Sequence, residues 1–120
     1  GFFLFIFYVE LRLNNKKGFQ KIMHLIEQQP HFWELYQDDS NYYLSIAIDM
    51  SSVVSCWDIK LTENEIKRFQ SQGRVAIEEI AGLIVRETYR GDFSTLESRK
   101  VSADIEQQIQ MTFTAWRSTQ

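Results

Sequence analysis

Two stretches of strict alternation, separated by a pair of serines, constrain this chain more than any other feature. From Tyr42 to Met50, the residues Tyr42, Leu44, Ile46, Ile48 and Met50 alternate with Tyr43, Ser45, Ala47 and Asp49. A side-chain period of two belongs to a strand with one face buried. After Ser51 and Ser52 the alternation resumes over Val53 to Leu61, with Trp57, Ile59 and Leu61 on one face. Two such runs with so short a link form a hairpin, although the turn residues leave its register open. The period then changes. Thr62 followed by Glu65 is a capping box that opens a helix carrying Ile66 and Phe69. Gly73 ends or kinks that helix. Ile77, Ile80, Ala81 and Ile84 give the next run, Val75 to Thr88, its buried stripe.

The remaining segments are read in the same way. Phe2 to Leu13 is apolar on both faces for most of its length, which predicts a strand central in its sheet, and Asn14 and Asn15 follow as a turn. Phe19, Ile22, Met23 and Ile26 stand at helical spacing, so Lys16 to Gln29 is expected to be an amphipathic helix ended by Pro30, the single proline. Phe32, Trp33 and Tyr36 share a helical face and suggest a short helical turn over His31 to Gln37. Asp38 to Asn41 is expected to be a loop and Tyr89 to Lys100 polar and irregular. Ser102 caps a last helix that turns Ile105, Ile109, Thr112, Phe113 and Trp116 inward. The order β-α-β-β-α-α predicts an α+β fold, a small and mostly antiparallel sheet with helices packed mainly on one face. At 120 residues this is a single globular domain, 1–120.

Composition narrows the function classes. A content of 44% hydrophobic and 24% charged residues is ordinary for a globular chain and excludes a disordered one. Cys56 is the only cysteine, so no internal disulfide forms and a reducing, cytoplasmic setting is expected. The most apolar stretch, Phe2 to Val9, is far short of the roughly 18 to 20 residues of a membrane helix and lacks a signal peptide's flanks. No membrane partner is expected. Net charge is −3, against a broad nucleic-acid face. Arg12, Lys16, Lys17 and Lys21, and Arg86, Arg90, Arg99 and Lys100, read as the solvated sides of amphipathic elements. From Glu34 to Glu65, seven acids face only Lys60, a local charge of −6 that leaves +3 for the rest of the chain. Such asymmetry steers a basic partner.

No catalytic or metal-binding motif is legible. His24, His31 and Cys56 match none of the usual ligand spacings, so no metal and no cofactor is expected. Cys56 beside a histidine and Asp58 would make a nucleophile only if the fold brought them together. The adjacent acids Asp38 and Asp39, and Glu78 and Glu79, lack surroundings that would separate their pKa values. The segment from His31 to Tyr43 is more suggestive. It places Trp33, Tyr36 and Tyr43 among Glu34, Asp38 and Asp39, with the acids Asp58 and Glu63 further on. Exposed aromatics anchor interfaces and nearby acids select basic partners, so these eight residues form the expected partner-binding set. The competing reading makes Phe32, Trp33 and Tyr36 core, with the acids solvating a loop.

The run from Trp57 to Ile66, continued by Phe69, Gly73 and Ile77 to Ile84, is similar to a strand-to-helix pattern in several small immunity domains. As a short acidic α+β chain, this sequence resembles the immunity proteins of bacterial contact-dependent growth inhibition and other polymorphic toxin systems. The pattern covers about a quarter of the chain and transfers no residue role. The resemblance implies a stoichiometric complex that occludes a cognate protein toxin. Many such toxins are basic nucleases, and the Glu34–Glu65 stretch would imitate the nucleic-acid backbone they bind. The alternatives are a small structural or adaptor domain, or an enzyme with a spatially assembled cleft.

Overall fold

The computed structural model describes residues 22–120. The strand expected over Phe2 to Leu13, the Asn14–Asn15 turn and the first six residues of the helix expected over Lys16 to Gln29 lie outside the described residues. Four antiparallel strands form one sheet in chain order: β1 (His24–Gln29), β2 (Trp33–Gln37), β3 (Tyr42–Asp49) and β4 (Val54–Lys60). Four helices follow: α1 (Glu63–Gln72), α2 (Arg74–Tyr89), α3 (Ser94–Ser98) and α4 (Ala103–Ser118). The fold is α+β, as the patterning predicts.

The β3–β4 hairpin forms where the alternation places it, with Leu44 opposite Ile59 and Ile46 opposite Trp57. Each of these pairs points to the same side. There Trp33, Leu35, Leu44, Ile46, Ile48, Ile59 and Leu61 meet Ile77, Ile80, Ala81 and Ile84 of α2 and Leu96 of α3. Ile66 and Phe69 of α1 pack against this core. The expected capping box is present: Thr62 Oγ1 accepts from the Glu65 amide at 3.2 Å, and the Thr62 amide donates to Glu65 Oε1 at 2.9 Å. Gly73, at φ 70°, separates α1 from α2 in the left-handed region that glycine enters without penalty. On the opposite face lies α4, whose Ile105, Ile109 and Phe113 pack on Met23, Leu25, Tyr36 and Tyr43. Ser102 caps it through the Ile105 amide.

Three expected elements differ: Tyr89 to Lys100, expected to be irregular, contains the helix α3, which carries Leu96 into the core; the other two are strands. His24–Gln29 is a strand, not the end of a helix, and Trp33–Gln37 is a strand, not a helical turn. Short apolar runs fit either period, and long-range pairing decides between them. Met23 and Leu25 point toward α4 and Ile26, next in the alternation, toward the main core; a bulge between Leu25 and Glu27 brings Glu27 rather than Ile26 opposite Leu35. In β2, Trp33 and Leu35 fill the main core and Tyr36 the other side, as suits a strand paired on both edges. Pro30 breaks the chain as expected, yet it does so between two strands. It precedes His31, at φ 63°, in a turn closed by the Phe32 amide on the Gln29 carbonyl at 3.0 Å.

Candidate functional site

Strand register builds a polar row across the α4 side of the sheet. Gln28 stands opposite Glu34, Glu34 opposite Ser45, and Ser45 opposite Asp58. With strands about 4.8 Å apart, Glu34 and Asp58 are separated by roughly 10 Å of backbone, with Ser45 between them. The neighbouring row, Leu25, Tyr36, Tyr43 and Lys60, includes the two tyrosines on which α4 packs. Glu106, in the first turn of α4, adds a third carboxylate beside Asp58.

These acids are half-buried and short of compensation. Glu34 Oε1 accepts one hydrogen bond, from the Tyr36 hydroxyl at 3.2 Å, and Asp58 Oδ1 accepts one from Ser45 Oγ at 2.6 Å. Burial pushes the pKa of Glu34 above its ordinary value. The Tyr36 hydrogen bond opposes that rise, and the charge of Asp58 adds to it. Burial likewise raises Asp58, against the Ser45 hydrogen bond and with the charge of Glu106. Burial, then the Glu34 charge, raises the Tyr36 phenol far above its usual range. Among the described residues the ion pairs are Arg68–Glu79, Arg74–Glu27, Arg74–Glu78 and Arg99–Glu65. None of them involves Glu34, Asp58 or Glu106.

The other expected interface residues are placed differently. Trp33 is 1% exposed, Tyr36 0% and Tyr43 4%. These rings are core, so they cannot serve as surface anchors; large aromatic area was needed to fill the two sides of a small sheet. Arg74 of α2 covers the Trp33 ring at 4.8 Å from its centroid. Asp38 is also buried. Its carboxylate accepts from the Ser40 amide at 3.0 Å, the Asn41 amide at 2.8 Å and the Tyr43 hydroxyl at 2.9 Å. It locks the β2–β3 turn and is no steering charge. Burial, then that hydrogen bond, pushes the Tyr43 phenol up to about 12. Asp39 is exposed in the same turn and Glu63 is exposed at the start of α1, both away from the row. Of the eight expected residues, the fold therefore brings Glu34, Tyr36 and Asp58 together. Sequence reading missed Ser45 and Glu106. Ser45 follows from the hairpin register once that is known, whereas Glu106 joins only through the docking of α4.

The Cys–His arrangement does not form. Cys56 is exposed on β4, while His24 lies on β1, three strand spacings or roughly 14 Å away. His31 sits in the β1–β2 turn, with β3 between β2 and β4. Among the described residues no group of three or more His, Cys, Asp and Glu side chains is disposed to hold a metal ion. No helix among them is long and apolar enough to cross a membrane. The carboxylate row lies on the α4 side of the sheet, and none of its residues lines the groove of about 880 Å³ at the end of the sheet where β3 begins. Comparison of the chain with protein families, with curated proteins and with solved structures finds no match in any of the three.

Proposed function

We propose that this chain is a cytosolic binding protein of the toxin-immunity kind, which neutralises a basic protein toxin by presenting its acidic sheet face in a one-to-one complex. The observation that carries this reading is the row Glu34–Ser45–Asp58, flanked by Glu106, whose acids make no ion pair among the described residues. Burial, and to a lesser degree the charge of a neighbouring acid, raises proton affinity at Glu34 and Asp58, and with no ion pair among the described residues their negative potential is not offset. A partner's arginine or lysine would relieve that potential with charge-assisted hydrogen bonds, and the same field would speed encounter. The acids lie on a sheet face, outside the groove, which favours a broad protein contact over a small substrate. The resemblance to immunity proteins supplies the class of partner: a toxin, with a nuclease as the leading kind.

The experiment is co-purification with the product of the adjacent gene, followed by calorimetric titration of wild type and of the Glu34→Gln/Asp58→Asn double variant. A one-to-one complex is expected, weakened at least tenfold by the double substitution and weakened further by added salt. Tight binding that ignores both changes would remove the acidic face from the interface. Affinity should also fall as pH drops through the raised pKa values of the two acids, because protonated carboxyls no longer attract a cation.

A further inference from the structure

The groove has the opposite charge from the carboxylate row. One wall is the start of α1, with Ile66 and Lys67; the other is the segment from Ser98 to Ser102 that leads into α4, and Tyr43 and Leu61 lie at its base. Its volume of about 880 Å³ is within the range of small-molecule sites. Lys60, Lys67, Lys100 and Arg99 line it against a single acid, Glu63. Arg99 is already neutralised by its two-pronged pair with Glu65, at 2.5 and 3.2 Å. Lys60, Lys67 and Lys100 make no ion pair with any described acid. In a chain of net charge −3, three unpaired lysines around one concavity are not a by-product of overall composition.

The walls are tied together. The Arg99–Glu65 pair links the α1 wall to the opposite segment, the Lys60 amide donates to the Arg99 carbonyl at 3.0 Å, and the Val101 amide donates to the Asp58 carbonyl at 3.0 Å. Such bracing holds the groove open at little further ordering cost on binding. Its lining is mixed: Leu61, Ile66, Val101 and Ile105 supply apolar surface beneath the cationic rim.

We infer that this groove binds a small organic phosphate, an anionic phosphate group held by Lys60, Lys67 and Lys100 with an apolar or planar body resting on Leu61, Ile66 and Ile105. Charge complementarity selects the anion, and the volume together with the apolar base selects a compact ligand of mononucleotide size. The site is independent of the acidic face, since neither Glu34 nor Asp58 lines it.

The test is an NMR titration of the full chain with adenosine monophosphate, with adenosine and with inorganic pyrophosphate. Saturable shifts of the amides of residues 60–67 and 98–102 are expected with adenosine monophosphate, several-fold weaker binding with pyrophosphate, and none with adenosine. The exposed substitutions Lys67→Gln and Lys100→Gln should each weaken binding roughly tenfold without lowering the melting temperature. Absence of saturable shifts at millimolar nucleotide overturns the inference. So does equal binding of adenosine, affinity unchanged in the lysine variants, or preference for a glutamate-rich peptide. Toxin binding by the Glu34→Gln/Asp58→Asn variant is read separately, so either proposal can fail alone.

Discussion

Asp38 and Glu34 are both partly or fully buried acids within one short stretch, and their surroundings give them opposite roles. Asp38 accepts three hydrogen bonds, two from amides of its own turn and one from Tyr43. Asp38→Ala therefore removes a charged acceptor and leaves the buried Tyr43 hydroxyl and two part-buried amides unmet, which should cost about 2–3 kcal/mol in denaturant unfolding. Trp33→Ala opens a cavity at the centre of the main core and should cost about 3–5 kcal/mol. Loss of partner binding in that variant would thus report unfolding and say nothing about the interface. Glu34 and Asp58 behave otherwise. Their folded pKa values are raised above the ordinary 4.5 and 3.8, so the folded state holds its protons more tightly than the unfolded chain. Their contribution to stability is fully present below those ordinary values and is lost as pH rises through the folded ones. Glu34→Gln should flatten this part of the stability–pH curve and leave the melting temperature at neutral pH unchanged or higher.

At the scale of elements, the β1–β2 hairpin is the instructive case. Pro30 was readable as a breaker because its ring and missing N–H act locally. Which structure it broke was not readable, because Ile22, Met23 and Ile26 satisfy a helical spacing while Met23 and Leu25 satisfy a strand spacing. Pairing of Leu25 with Tyr36, which puts Leu25 on the α4 side and Ile26 on the main core, settled it. The turn that results holds His31 at φ 63°, a left-handed conformation with a cost for any residue bearing a Cβ. His31→Gly should raise stability by about 0.5–1 kcal/mol, read as a higher denaturation midpoint. An unchanged or lower midpoint would mean that the histidine side chain stabilises the turn by more than the strain costs. The helices were far more legible. Thr62 and Glu65, Gly73 and Ser102 all act where the sequence places them, since caps and breaks involve residues only three or four apart. Thr62→Ala should cost about 1 kcal/mol in the same measurement.

Across the whole molecule, the acidic stretch from Glu34 to Glu65 does not form one surface. Asp38 is consumed by its turn, and Glu65 by the helix cap and Arg99. Asp49 binds the Ser51 amide at the far end of the hairpin. Asp39 and Glu63 are exposed away from the sheet row, on which Glu34 and Asp58 stand two strands apart with Ser45 between them, joined by Glu106 from α4. The lysine groove is likewise assembled from β4, α1 and the approach to α4. Alternation and capping, both local, determined from sequence alone that this chain has a β3–β4 hairpin followed by capped helices within an α+β fold. The strand identity of β1 and β2, the burial of Trp33, Tyr36 and Tyr43, and the separation of an acidic face from a basic groove were decided only by tertiary structure. The physical reason is one of range: a cap or a period is written within a few residues. A cross-strand row depends on which distant segments pair, and at what register.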